Sequence, residues 1–330
     1  MKITVLLGGA SSERDVSMAS GLRIADALRE KGHAVLLVDP AKGSIDAAAE
    51  RALREDGVKT TPPSLEELAA LTILPTLTQL PEVTGADVVF LALHGGQGED
   101  GTIQALLDMT KIRYTGSGHL ASALAMDKEL SKIILRAVGV GTPDWLMAPA
   151  TNDEVLAELG LPVIVKPSKE GSSVGLTVVR EIEDLAPAID EAFRHDDEVM
   201  IEKFIPGREL TVGMLGEEAL PVGEIIPKHE IYDYECKYTA GMAEEVFPAD
   251  IPAAVSADAQ RQAKLAFRAL KLGGCPRVDF RLAADGSLYC LEVNTLPGMT
   301  ELSLIPQAAA AVGISFPDFC ERIALLAANH

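Results

Sequence analysis

Apolar runs and helical stripes alternate along the chain from its first residues. Ile3 to Leu7 reads as a buried strand, Gly8-Gly9 as a turn, and Val16 to Glu30 carries Leu22, Ala25 and Leu28 on one helical face. Ala34 to Val38 is the next strand. After a polar, proline-containing stretch, Asp87 to His94 forms another, followed by a glycine-rich turn and a helix from Thr102 to Met109. This order predicts a βαβ unit with a parallel sheet.

Beyond it the texture changes. Ser122 to Val138 reads as one helix, with Ala123, Met126, Leu130 and Ile134 on a stripe that Pro143 stops. Strands at Pro162 to Val165, Leu176 to Val179 and Val199 to Phe204, with a helix from Glu183 to His195, predict a small α+β unit. From about Glu209 come further strands, a polar loop through Tyr232 to Glu245, a helix from Ser256 to Lys271, a hairpin, and a last helix from Phe316 to Ala327. The expected division is 1–118, 119–203 and 204–330.

The chain has 330 residues, enough for two or three units with their own cores. With 29 basic against 49 acidic residues, the net charge of −20 repels a nucleic acid backbone. No apolar run approaches the ~20 residues of a membrane span, and the start of the chain lacks a secretory pattern, so the expectation is a cytoplasmic protein. Cys236, Cys275, Cys290 and Cys320 show no C-x-x-C spacing and are expected to be reduced thiols.

The most informative stretch is Arg277-Val-Asp279-Phe-Arg-Leu282 and Leu288-Tyr-Cys-Leu-Glu292-Val-Asn294, joined through Asp285-Gly286. An Asp-Gly pair between alternating runs favours a two-residue hairpin turn. Asp279 then faces Glu292 and Arg277 faces Asn294, all on one side, with Val278, Phe280, Leu282, Tyr289, Leu291 and Val293 on the other. A three-residue loop would oppose Asp279 to Leu291 and mix the faces, so it is rejected. Opposed carboxylates repel, and oxygen ligands of this kind suit a hard ion such as Mg²⁺. The alternative is a solvated face neutralised by Arg277 and Arg281.

Weaker signals accompany it. Lys166 ends a strand and enters the loop Pro-Ser-Lys-Glu-Gly171-Ser172-Ser173-Val-Gly175, which would suit a polyphosphate but equally an ordinary turn. Neither a Walker A nor a G-x-G-x-x-G pattern occurs. Glu202-Lys203-Phe204-Ile205, with Glu209 after it, would suit a nucleoside, or an edge strand. Lys128 reads by default as a solvated helical lysine. Tyr232 to Tyr238 reads as a lid or as a packed surface loop. The turns around Glu13 and His94 fall at the carboxyl ends of the presumed parallel strands, where open α/β sheets bind ligands.

Taken in order, Val5-Leu-Leu-Gly-Gly, Ala92-Leu-His-Gly, Tyr114-Thr-Gly-Ser-Gly, Met126-Asp-Lys, Val165-Lys-Pro-Ser-Lys-Glu-Gly-Ser-Ser-Val-Gly, Tyr232-Asp-Tyr-Glu-Cys-Lys-Tyr and Glu292-Val-Asn-Thr-Leu-Pro-Gly-Met-Thr resemble the D-alanine:D-alanine ligases of the ATP-grasp superfamily over nearly the whole chain. The resemblance implies an α/β and α+β chain: an ATP-grasp fold preceded by a parallel-sheet domain. It also implies a cytoplasmic, homodimeric enzyme that takes ATP and two D-alanines for peptidoglycan synthesis. Two Mg²⁺ per site, replaceable by Mn²⁺, would be held by Asp279, Glu292 and Asn294.

By the same resemblance Glu13 would hold the first D-alanine's ammonium, with His94 in the substrate pocket, and Ser172 with Tyr238 would complete a triad ordering the lid. Lys128, Lys166 and Lys237 would hold phosphates. Glu202, Lys203, Phe204 and Ile205 would lie at adenine and Glu209 at ribose. Arg277 and the N–H of Gly298 would stabilise the tetrahedral oxyanion, and Ser303 with the N–H of Leu304 would bind the second substrate's carboxylate.

The stretch from Ile45 to Thr84 is longer than in compact members, and Cys236 stands where small residues are common. By the same resemblance Tyr238 implies D-alanine over D-lactate as second substrate, since the relatives that make depsipeptides lack this tyrosine. The rivals are a D-serine or D-lactate ligase of the same fold and a silent nucleotide-binding homologue; the intact Lys166, Arg277, Asp279, Glu292 and Asn294 argue against the silent one.

Overall fold

Three sheets organise the chain in the computed structural model, which describes residues 1–56, 71–171, 173–232, 236, 239, 241–300 and 303–329. The first is built from β1 (Lys2–Leu6), β2 (Ala34–Asp39), β3 (Gly43–Ile45) and β4 (Val88–Leu91), in the order β3-β2-β1-β4. As expected, β1 pairs in parallel with β2 and β4; β3 is an antiparallel edge. Between β1 and β2 runs α1 (Arg14–Glu30), whose Leu22, Ile24, Ala25 and Leu28 join Ile3, Val5 and Leu7 in one core. After β3 comes α2 (Ala47–Asp56), and after β4 comes α3 (Thr102–Met109).

The helix expected from 122 to 138 is two helices, α4 (His119–Met126) and α5 (Lys128–Ala137). Asp127 between them is extended and its carboxylate accepts the backbone N–H of Leu130 at 2.9 Å, an N-cap that starts a new helix. The stripe of Ala123, Met126, Leu130 and Ile134 runs across the break in the sequence, so periodicity reads one helix, but Ala123 and Leu130 are exposed and Ala121, Ala125 and Leu135 are the residues that pack inward. The break sets Lys128 at the first turn of α5.

The second sheet contains β5 (Trp145–Met147), β6 (Val163–Pro167), β7 (Thr177–Val179) and β8 (Val199–Lys203), all antiparallel in the order β5-β8-β6-β7. One face packs Val163, Val165, Val199 and Ile201 against Val155 of α6 (Asn152–Glu158) and Leu185 and Ala188 of α7 (Leu185–Ala192). Strand alternation then turns Ile164, Lys166 and Glu202 to the opposite face.

The third sheet, β11-β10-β9-β12-β13, is antiparallel throughout: β9 (Arg208–Leu215), β10 (Glu218–Pro227), β11 (Ala243–Val246), β12 (Arg277–Leu282) and β13 (Leu288–Asn294). Its Val212 and Phe280 pack beneath Ala263 and Ala266 of α8 (Ala253–Ala269), with Ala125 of α4 and Leu135 of α5. A short α9 (Leu304–Ala310) follows, and α10 (Phe316–Ala328) returns Phe319 and Ile323 to the core under the first sheet.

The hairpin both bears out and corrects the predicted register. Asp279 opposes Glu292 and Arg277 opposes Asn294, but the pairing then shifts, so that Phe280 opposes Cys290 and Leu282 opposes Leu288. The rejected three-residue loop is the one that forms: the N–H of Ala283 donates to Ser287 O at 2.9 Å and Gly286 adopts φ +86°. A bulge at Leu291 absorbs the extra residue and restores the register at the carboxylates. Consequently Leu288 and Cys290, not Tyr289 and Leu291, fill the core face.

A Cβ placed at Gly21 of α1 would lie 2.4 Å from Leu7 Cβ. Glycine to alanine inside a helix ordinarily gains about 1 kcal/mol, but overpacking here outweighs it. Gly21→Ala should lower stability by about 1–2 kcal/mol in urea denaturation; an increased midpoint would contradict this close packing.

Candidate active site

The faces turned away from the second and third cores line a cleft of about 910 Å³, counted with the part that is open to solvent. Lys128, Lys166, Glu202 and Lys203 line it from one side, with Phe204 and Ile205 along the connection between sheets and Glu209 at the start of β9. Arg277, Asp279 and Glu292 line the other side, joined by Arg281 and, through the bulge, Leu291. Glu209 is held by Arg281, whose Nη2 lies 3.1 Å from Glu209 Oε2 and whose Nη1 donates to Gly207 O at 3.0 Å.

Buried charge dominates the first wall. Glu202 is 3% exposed and shares its carboxylate between two ammonium groups: Oε2 lies 2.8 Å from Lys166 Nζ, and Oε1 contacts Lys132 Nζ. Burial alone would raise the Glu202 pKa, but the charges of Lys132 and Lys166 outweigh it and hold the carboxyl below its ordinary range. Lys128 Nζ donates to Ser168 O at 3.2 Å and Glu170 O at 2.6 Å, pinning the start of the Gly/Ser loop. Its pKa falls through burial and the neighbouring Lys166, with Glu292 and Glu170 opposing. A buried lysine beside a second cation is thus what the helical Lys128 becomes. Sequence reading missed Lys132, although it lies four residues after Lys128 on one face of α5.

On the second wall Arg277 and Asn294 bracket Asp279. Arg277 Nε and Nη2 donate to the Asp279 carboxylate at 2.9 and 2.8 Å, Asn294 Nδ2 donates at 2.9 Å, and Thr211 Oγ1 donates at 2.7 Å. Burial would lower the Arg277 pKa, yet Asp279 and Glu292 drive it well above its usual range. Among the described residues no group of three or more His, Cys, Asp or Glu gathers as a metal cluster. Two opposed carboxylates and one amide nevertheless form an all-oxygen donor set of the kind Mg²⁺ takes, and the Asn294 amide directs its nitrogen to Asp279, leaving its oxygen as a potential ligand. The set fits a hard divalent cation.

The N-terminal turns meet the segment after β13. His94 is buried, with Nδ1 2.9 Å from Leu296 O and Nε2 3.0 Å from Ser20 Oγ. Burial opposes a charged imidazole, but Glu99, 3.7 Å away, and Glu13 outweigh it and raise the His94 pKa. Glu99, also missed in the sequence, is itself raised by burial and by the Glu13 charge. Glu13 is buried at the head of α1, close to Gly95 and Gly171. The next residue, Arg14, forms a buried ion pair with Asp39 and donates to Gly9 O at 2.6 Å, fixing the first turn.

Ser303 stands at the N-cap position of α9 with no side-chain hydrogen bond to the helix; its Oγ accepts the N–H of Thr300 at 3.1 Å and would lie 3.0 Å from a Cβ at Gly298. Leu304 is buried behind it. At the edge of the cleft Ser173 Oγ donates to Tyr232 O at 3.2 Å, and Tyr232 Oη to Glu245 Oε1 at 3.3 Å. Ser172, Lys237 and Tyr238 lie outside the described residues. Cys275, Cys290 and Cys320 are buried core thiols, that of Cys275 pushed up to about 12 by burial.

Comparison with known proteins covers both halves of the chain. The family described as D-ala D-ala ligase N-terminus matches residues 2–117, and D-ala D-ala ligase C-terminus matches residues 134–324. A D-alanine–D-alanine ligase of Anaeromyxobacter dehalogenans (strain 2CP-1) is 42% identical, covering 98% of this chain and 95% of that protein. The corresponding ligase of Anaeromyxobacter sp. (strain Fw109-5) is 44% identical over the same shares. Among solved structures, the VanG D-Ala:D-Ser ligase from Enterococcus faecalis superposes with a TM-score of 0.82 at 30% identity, covering 98% of each chain. The D-alanine–D-alanine ligase from Bacillus anthracis complexed with ATP gives 0.78 at 30% identity, covering 100% of this chain and 97% of that one.

Glu202 titrates below its ordinary value of 4.5 in the folded chain, so it stabilises the fold above that pH. That contribution is lost as pH falls through the folded value. Glu202→Gln should therefore flatten the decline of stability on acidification below about pH 4.5. Parallel pH profiles of unfolding free energy for the two proteins would contradict the depressed carboxylate.

Proposed function

The chain belongs to the D-alanine–D-alanine ligase family, and on that premise we infer its activity: it is an ATP-dependent ligase that joins two D-alanines into D-alanyl-D-alanine, giving ADP and phosphate for peptidoglycan precursor synthesis. The observation that carries this reading within the chain is the convergence of Lys128, Lys166 and Arg277 on a cleft backed by Asp279 and Glu292. Phosphoryl transfer needs charge neutralisation and alignment more than covalent help. In a chain of net charge −20 such a concentration of buried cations has a specific anionic ligand to serve.

The reaction runs in two steps. A carboxylate oxygen of the first D-alanine attacks the γ-phosphorus of ATP, ADP leaves, and an acyl phosphate forms. The amine of the second D-alanine attacks the acyl carbon, a proton is lost from nitrogen, and phosphate departs with the original carboxylate oxygen. We assign the phosphates to Lys128 and Lys166, with Lys237 outside the described residues. Glu202, Lys203, Phe204, Ile205 and Glu209 are assigned to the nucleoside, in keeping with their place in the lining of one cleft. Glu13 and His94 are assigned to the first amino acid, with Ser172 and Tyr238 ordering the lid. Arg277 and the Gly298 N–H are assigned to the oxyanion, and Ser303 with the Leu304 N–H to the second carboxylate.

Asp279, Glu292 and Asn294 are assigned to two Mg²⁺, replaceable by Mn²⁺. When bound, such ions would neutralise phosphate charge. We keep the division into 1–118, 119–203 and 204–330, with one sheet in each part; α4 and α5 reach onto the third core, and α9 and α10 onto the first. A cytoplasmic homodimer is the remaining part of the proposal; among the described residues no helix is long and apolar enough to cross a membrane.

The test is D-alanine-dependent release of ADP and phosphate with Mg²⁺, with the product weighed after incubation with D-alanine alone and with D-serine or D-lactate added. A D-alanyl-D-alanine mass is expected. ATP binding without ADP release would leave a silent homologue, and a preferred mixed product would shift the second substrate. Glu292→Gln should retain the fold by circular dichroism while turnover falls to below about a hundredth of wild type; near-normal turnover would remove the metal assignment.

A further inference from the structure

Lys132 is a lysine with 1% exposure, a rare placement for a charged side chain. Its ammonium has three neighbours. It contacts Glu202 Oε1, donates to Pro143 O at 3.1 Å, and lies 5.0 Å from the centre of the Trp145 ring. The Arg136 guanidinium also sits 4.4 Å from the centre of that ring and pairs with Asp144 at 2.6 Å. Lys132 is thus anchored by a carbonyl and an aromatic ring as well as by the carboxylate. Burial and the neighbouring Lys166 hold its pKa below the ordinary lysine range, with Glu202 opposing.

Glu202 divides between two cations of different kinds. Lys132 does not line the cleft, whereas Lys166, 2.8 Å from the other carboxylate oxygen, does. The Glu202 carboxylate is thus divided, one oxygen on Lys132 and the other on Lys166, and Lys166 is the partner open to the cleft. Without the Lys132 charge, the whole negative charge of Glu202 would fall on Lys166 and draw its ammonium away from an incoming phosphate.

We propose that Lys132 is a positioning residue for nucleotide binding, acting through Glu202 to keep Lys166 only partly neutralised and available to the phosphates of ATP. The proposal rests on the ligase reading above, but its test separates the two. Wild-type protein showing no D-alanine-dependent ADP release would end the ligase reading, and ATP binding measured directly would still test Lys132.

Lys132→Met removes the charge outright and risks unfolding, because it strands a buried carboxylate oxygen. Lys132→Gln removes the charge while keeping an N–H donor, on a side chain one bond shorter. ATP and adenosine affinities are to be measured by calorimetry beside KM for ATP and D-alanine, with thermal melting to score the folded fraction. In Lys132→Gln the KM and Kd for ATP should rise about tenfold, the coupling expected of a buried charge pair. Adenosine affinity and the KM for D-alanine should stay within about twofold, and Lys132→Arg should recover ATP affinity to within about threefold. ATP affinity unchanged in Lys132→Gln, with activity lost only in step with the folded fraction, would reduce Lys132 to core packing and overturn the proposal. An equal loss for adenosine would overturn it too, since the effect would then act on the base and not through Lys166.

Discussion

Asp279 and Glu292 face each other on adjacent strands, and two like charges so placed repel unless cations stand between or beside them. Arg277 answers part of that demand, with two donors on Asp279 and a pKa pushed upward by both carboxylates. The rest of the cleft follows the same rule on the opposite wall, where one buried carboxylate, Glu202, sits between two buried lysines. The result is a pair of facing surfaces with opposite needs. One lacks positive charge and the other has a surplus, and a magnesium–nucleotide complex offers both signs at once.

Placement of those walls depends on small local devices. The bulge at Leu291 keeps Glu292 opposite Asp279 although the hairpin turn is one residue longer than the alignment needs. The Asp127 cap starts α5 where Lys128 can reach the carbonyls of Ser168 and Glu170. The segment after β13 is tied to the first sheet by His94 Nδ1 on Leu296 O and by the Met299 N–H on Ser20 Oγ at 3.4 Å. Through that tie the turn carrying Glu13 and the turn carrying Gly298 and Ser303 meet beside the cleft.

The sequence made the carboxylate face legible because strand alternation has a period of two and Asp285-Gly286 marks the turn. It did not reveal the bulge, because Gly286 can serve as the third residue of a longer loop as readily as the second of a short one. The single helix expected over 122 to 138 failed for a related reason: the apolar stripe runs through Asp127, while the cap that breaks the helix is a local hydrogen bond. Lys132 and Glu99 went unnoticed because a charged residue on a helix or in a glycine-rich turn reads as solvated until the fold buries it. Glu202 reaches Lys132 from a distant strand, whereas Glu99 is buried beside His94 of its own turn. The order of motifs carried what pairing could not, and the family comparison agrees with it over both halves of the chain.

The central claim is that this cleft activates a carboxylate by phosphorylation before an amine attacks it. The measurement that reaches it most directly is isotope transfer from D-alanine labelled with ¹⁸O in its carboxylate, with the released phosphate analysed by mass. An acyl phosphate route predicts one labelled oxygen in the phosphate for each dipeptide formed. Dipeptide formation accompanied by unlabelled phosphate would contradict the account, because the carboxylate would then never have been bonded to the phosphorus that leaves.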